Sequence, residues 1–153
     1  MKGNDGTGNI PERDTWETPQ GLWDDLDKQY NFKFDCCASH SNRKTIKYTS
    51  DFLSLNEMQN SAWMNPPFSL ASDMFEKFFS ICFSGVAIYR CDNMETAIWQ
   101  EVILDNADWV FIPKGRISYE GKEGKGSRFP SALIGKGVPP PNLGNGFILE
   151  VKR

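Results

Sequence analysis

The order of elements along this chain predicts an α/β domain built on a sheet that is parallel at least in part. Three observations carry that reading. β-prone runs alternate with segments of helical periodicity, acidic and amide side chains fall where those runs end, and 39% hydrophobic content in 153 residues suffices for one core but not for two.

Residues 1 to about 14 are polar and glycine-rich and read as a disordered N-terminal segment ahead of a single domain over 15–153. Thr18-Pro19 reads as an N-cap and first-turn proline opening a helix whose apolar face is Leu22, Trp23, Leu26 and Tyr30, with Asn31 ending it. Alternation over 32–36 predicts a strand that delivers Asp35, and Ala38-Ser39-His40-Ser41-Asn42 follows as a turn of small residues. A second short strand is expected at 45–48 and a third at 61–65. Met74, Phe75, Phe78 and Phe79 give 70–83 a helical period. Strands at 86–89 and 109–112 flank a helix over 94–104 carrying Trp99, Val102 and Ile103. The last two strands are expected at 129–134 and 147–151, separated by a Gly/Pro-rich loop. In such sheets ligands gather at the carboxyl ends of strands, where Asp35, Asp51 and Asn65 are expected.

The most informative segment is Asn65-Pro66-Pro67-Phe68, placed directly after Ala62-Trp63-Met64. Two consecutive prolines lock their own φ and remove two backbone donors, so the local carbonyls stay unpaired and are available to a ligand. The Asn65 side-chain oxygen and the Pro66 carbonyl are suited to accept both N–H bonds of an exocyclic amine on a flat ring, with Phe68 stacking on that ring. The bland alternative is a strand exit, since Pro-Pro pairs are common turn signals.

Composition narrows the partners. Five tryptophans and eleven phenylalanines supply core or stacking surface. A formal net charge of -3 argues against a generally basic nucleic-acid coat. Between Pro113 and Lys136, however, six basic residues stand against Glu120 and Glu123, among them Lys114, Arg116, Lys122, Lys125 and Arg128, in a glycine-rich stretch suited to nucleic acid. Cys36, Cys37, Cys82 and Cys91 include no CxxC pair, so neither a zinc site nor a disulfide framework is indicated. No signal-peptide pattern and no apolar run of about 18 residues is present, and the expected location is a reducing cytoplasm, away from membranes. His40, the one histidine, reads as a surface-turn residue rather than a general base.

Five separated blocks, in order, resemble the phage and prophage family of DNA N6-adenine methyltransferases, the phage-type Dam family. They are Asp14-Thr15-Trp16-Glu17-Thr18-Pro19 with Leu22-Trp23, Phe34-Asp35-Cys36-Cys37-Ala38 with Asn42, Asn65-Pro66-Pro67-Phe68, Gly115-Arg116-Ile117, and Phe129-Pro130-Ser131-Ala132. Their joint order is far more specific than any one of them. The resemblance implies a compact Rossmann-like S-adenosylmethionine-dependent methyltransferase fold with a mixed, mostly parallel sheet. It implies methyl transfer to adenine N6 in duplex DNA, with the adenine turned out of the stack and no metal. By the same resemblance Asn65, Pro66, Pro67 and Phe68 are catalytic. Trp16, Thr18, Pro19, Asp35, Cys36, Cys37, Asp51 and Phe52 serve the cofactor, with Asp35 near its amino group and Asp51 and Phe52 beside its adenine. Departures are local. Ala38-Ser39-His40-Ser41 stands where most such enzymes carry a glycine-rich turn, Cys36 replaces the family's proline, and 89–93 matches poorly. A degenerate member that only binds, an enzyme acting on a protein glutamine and one acting on RNA adenine share the motif.

Overall fold

The computed structural model describes residues 17–119 and 127–151, with side chains from Phe129 onward in the second stretch. Helix α1 (Gln20–Tyr30) precedes strands β1 (Phe34–Asp35) and β2 (Lys47–Tyr48), a 3-10 turn (Phe52–Ser54) and β3 (Ala62–Met64). A second 3-10 turn (Phe68–Leu70) enters α2 (Ala71–Ile81), followed by β4 (Gly85–Arg90) and a π-helical segment (Ile98–Ile103) that ends in the short α3 (Leu104–Asn106). Then come β5 (Trp109–Pro113), the hairpin β6 (Ile117–Tyr119) and β7 (Ser127–Phe129), β8 (Ser131–Lys136) and β9 (Gly146–Glu150).

Seven strands form one sheet in the order β2-β1-β3-β4-β8-β5-β9, and β6-β7 form a two-stranded sheet of their own. β2, β1, β3 and β4 pair in parallel, whereas β8 is antiparallel to both β4 and β5, and β9 antiparallel to β5. β1 to β5 therefore share one direction and β8 and β9 oppose it. This is the expected α/β architecture with a mixed, mostly parallel sheet.

Both faces of the central strands are buried, as the alternation in β3 and β4 requires. Ala62, Met64, Ala87 and Tyr89 join Phe75, Phe78 and Trp99 on one face, while Trp63, Val86 and Ile88 join Trp23, Leu26 and Trp109 on the other. Gly135 in β8 lets this second layer close. A Cβ there would stand 2.0 Å from a ring carbon of Trp109, which lies flat on the glycine.

Several elements differ from expectation for identifiable reasons. β1 to β3 are shorter than their β-prone runs, although backbone pairing continues beyond both ends of β1, Lys33 N–H donating to the Ser61 carbonyl at 2.8 Å and Cys36 N–H to the Trp63 carbonyl at 2.9 Å. Ser61, at φ 50, donates its hydroxyl to the Tyr30 and Asn31 carbonyls at 2.8 and 3.0 Å, tying the left-handed end of α1 to the start of β3. The helix expected over 94–104 has its π-helical segment begin at Ile98, because 92–95 form a turn, with Thr96 N–H donating to Asn93 O at 3.1 Å. The run over 129–134 is two strands, divided by Pro130, which cannot donate to a ladder. Thr18 is not an N-cap: Pro19 occupies that place, without a side-chain cap, and the Thr18 hydroxyl is engaged elsewhere. Residues 1–14, expected to be disordered, lie outside the described residues.

Candidate active site

The carboxyl ends of β1 and β3 lie side by side, since Asp35 pairs with Trp63 in the parallel register. Asp35 closes β1 and Asn65 immediately follows β3, so the topology alone brings an acid and an amide to one place. Between them opens a cleft of about 190 Å3 lined by Glu17, Thr18, Asp35, Cys37, Ala38, Ser39, Asn42, Lys44, Ser50, Trp63 and Asn65.

The Asp35 carboxylate is 3% exposed and accepts from two backbone donors, Oδ1 from Cys37 N–H at 3.1 Å and Oδ2 from Lys44 N–H at 3.0 Å. Burial pushes its pKa up to about 6, against the opposing pull of those two donors and of the Lys44 charge. A carboxylate in this condition gains from any cation that reaches it. The Lys44 ammonium itself turns away and donates to Gln20 Oε1 at 2.9 Å. The turn after β1 is a side-chain construction in place of a glycine-rich one: Ser39 N–H donates to Asn42 Oδ1 at 2.7 Å and Asn42 N–H to Ser39 O at 3.3 Å.

Asn65 Nδ2 donates to the buried Thr18 hydroxyl at 3.1 Å. That bond fixes the amide's orientation and leaves Oδ1 as its acceptor end. The expectation that the motif's carbonyls all stay unpaired is corrected at Pro67, whose carbonyl accepts Leu70 N–H at 3.0 Å and starts the 3-10 turn. Phe68, half-buried, meets Phe129 edge-on at 5.3 Å and Tyr89 at 6.2 Å, and the Arg90 guanidinium lies 5.6 Å from its centroid.

Of the expected cofactor residues, the cleft gathers Thr18, Asp35 and Cys37. Pro19 is half-buried at the mouth of α1 without lining it. Cys36 is fully buried, its thiol pushed up by burial and by Cys82, and Phe52 at 2% exposure belongs to the core. These two stand behind the cleft wall, and Asp51 is exposed while its neighbour Ser50 lines the cleft. Trp16 lies outside the described residues. Lys114 and Arg116 are exposed at the start of the β6-β7 hairpin, around Gly115 at φ 82; Lys122, Lys125 and the Arg128 side chain lie outside the described residues. None of the four cysteines is in a disulfide.

Sequence reasoning gave no site role to Glu17, Ala38, Ser39, Asn42, Lys44, Ser50 and Trp63, which also line the cleft. Trp63 was accessible to it, being the β3 residue on the face opposite Ala62 and Met64 and two before Asn65. Lys44 had no local signal, because its bond to Asp35 is made by the return of a loop. No helix among the described residues is long and apolar enough to cross a membrane.

A family model described as DNA N-6-adenine-methyltransferase (Dam) matches residues 6–132. Among solved structures, a proposed RNA methyltransferase from Pyrococcus horikoshii aligns at 14% identity with a TM-score of 0.44, over 82% of this chain and 61% of that one. This chain thus spans less than two thirds of that protein's length. No curated protein matches it.

Proposed function

The chain belongs to the DNA N-6-adenine-methyltransferase (Dam) family, and from that premise we propose that it methylates N6 of adenine in duplex DNA with S-adenosylmethionine as donor. The observation that carries this reading is the shared cleft. Asn65, first residue of the Asn-Pro-Pro-Phe motif, and the buried acid Asp35 open into one space at neighbouring strand ends.

The residues fit the cofactor. S-adenosylmethionine, when bound, supplies an electrophilic methyl group beside a cationic sulfonium and an ammonium. Asp35 answers the ammonium, since its carboxylate is buried, only partly compensated by two N–H donors, and relieved by a positive neighbour. Thr18 and Cys37 border the methionine portion, with Trp16 and Pro19 flanking Thr18 in the chain. Asp51 flanks the adenosine portion, next to the lining residue Ser50, with Cys36 and Phe52 supporting the wall from the core.

Asn65 acts on the target base. Held by Thr18, its Oδ1 accepts one N–H of the adenine amine and the Pro66 carbonyl accepts the other, aligning the nitrogen lone pair with the donor. Pro67 stiffens the turn that carries Phe68, which stacks on the turned-out ring. Lys114, Arg116, Lys122, Lys125 and Arg128 meet phosphates, concentrating positive charge on one hairpin of an otherwise acidic chain. We place the protein in the cytoplasm, where DNA and reduced thiols coexist.

The test is transfer of labelled methyl from S-adenosylmethionine to unmethylated duplex DNA, followed by nucleoside analysis, with Asn65→Ala as control. Label on N6-methyladenine that disappears in the variant is the expected result. Label on RNA or on a protein glutamine overturns the substrate, and absence of both label and cofactor binding identifies a binding module.

A further inference from the structure

Arg90 ends β4 with 2% exposure, among the largest fully buried side chains of the protein. Asp92, two residues on, accepts from its Nε at 2.5 Å and from its Nη2. The guanidinium carbon lies 5.6 Å from the ring centroid of Phe68 and 5.6 Å from that of Phe129, within cation–π range of both. The two rings also meet each other edge-on at 5.3 Å. Phe68 belongs to the motif loop, and Phe129 closes the β6-β7 hairpin, where it stacks on Tyr119 at 4.4 Å and 14°.

Arg90 is buried while the Asp92 side chain is 33% exposed, and a buried guanidinium is an expensive way to fill such a space, since apolar side chains of similar volume usually stabilise a fold as well or better. What the pair adds is direction. A planar guanidinium clamped by a carboxylate has one orientation, and both rings lie within cation–π range of it. The clamp is itself anchored from two sides: Trp99 Nε1 donates to the Arg90 carbonyl at 3.1 Å, and Cys91 N–H to the Pro130 carbonyl at 2.9 Å.

We propose that Arg90, oriented by Asp92, is a positioning residue that sets the ring of Phe68 for stacking on the target base and fixes it to the β6-β7 hairpin through Phe129. The proposal rests on the reading that Phe68 stacks on the target adenine. Arg90 acts through Phe68 and touches neither substrate nor cofactor. Lysine at this position keeps the charge and loses the planar fork; Asp92→Asn keeps the arginine and loosens its clamp.

The experiment compares the full chain with Arg90→Lys and Asp92→Asn. It measures kcat and KM on duplex DNA, cofactor Kd, and thermal unfolding. It also records 19F NMR of protein labelled with 4-fluorophenylalanine, in which the Phe68 resonance is the one that disappears in Phe68→Leu. Expected are a fall in kcat of about tenfold or more, as misplacement of a stacking group by a fraction of an ångström implies, an unchanged cofactor Kd, and a shifted or broadened Phe68 resonance. Unchanged kcat with an unchanged Phe68 resonance overturns the proposal. Loss of cofactor binding and thermal stability in step with kcat also overturns it, because it assigns Arg90 to general stability. An unmodified chain that transfers no methyl to DNA overturns the proposed function instead, and the Phe68 resonance still reports whether Arg90 holds the ring.

Discussion

The two halves of the sheet are built on different terms. β1, β2 and β3 contribute two, two and three residues, and their ends are held by side chains and loops: Asp35 takes two loop N–H groups, Ser61 spans to α1, and Asn42 closes the turn after β1. β4, β8 and β5 are six, six and five residues long, paired by backbone and buried on both faces by Val86, Ile88, Leu133, Ile134, Val110 and Trp109. The candidate active site sits entirely where regular pairing is poorest. Short parallel strands free backbone N–H groups and polar side chains for a ligand, and the long antiparallel core supplies the rigidity they lack.

If that division holds, substitutions in the two halves separate cleanly. The largest effect is expected for Asn65→Ala, a loss of about 10²–10³-fold in methyl transfer with the thermal midpoint unchanged, as removal of one preorganised acceptor implies. A midpoint that falls together with the rate would show that the amide is structural. In the other half, Leu133→Ala leaves a cavity at a fully buried position and is expected to cost about 3 kcal/mol, read by chemical denaturation. Activity per folded molecule stays at the level of the parent chain; a diminished rate at full folding would erase the contrast.

Proton linkage gives a smaller and more specific probe. Burial raises Asp35 above its unfolded value of 3.8 to about 6, so the folded chain binds the extra proton in that interval. Stability without cofactor therefore falls as pH rises from about 4 to about 6 and is level above, whereas affinity for a cationic ligand rises about tenfold per pH unit up to about 6 and then levels. Calorimetric titration across that range checks it, and Asp35→Asn is expected to flatten the profile. Smallest is the hairpin: Lys114→Ala with Arg116→Ala is expected to reduce the slope of log affinity for DNA against log salt by about 0.9 for each phosphate left without its cation. An unchanged slope would remove those two residues from the DNA surface.

Legibility in the sequence follows the same division. The amphipathic face of α1 and its stop at Asn31, which takes φ 52, are readable because helix period and left-handed asparagine are local properties. Asp35 and Asn65 are readable as strand-end residues because the hydrophobic run before each marks where the chain emerges. Thr18 reads falsely as a cap because its sequence neighbour is a proline, while its partner, Asn65, is 47 residues away. β6 and β7 escape notice because Ile117–Tyr119 and Ser127–Phe129 are three residues each and gain their pairing from the other strand rather than from their own pattern. The Arg90 clamp is signalled only by a mismatch with the family around 89–93, since charge at the end of a strand ordinarily faces solvent.

The position of β8 governs how the molecule is assembled. It follows both β4 and β5 in the chain, yet it lies between them and pairs with both, six residues on one side and three on the other. Until Ser131–Lys136 has left the ribosome, the parallel half and the β5 edge have no strand to join them, and Val86, Ile88 and Trp109 stay exposed along an open seam. The centre of the sheet therefore closes only when a strand that follows both of its neighbours in the chain has joined them.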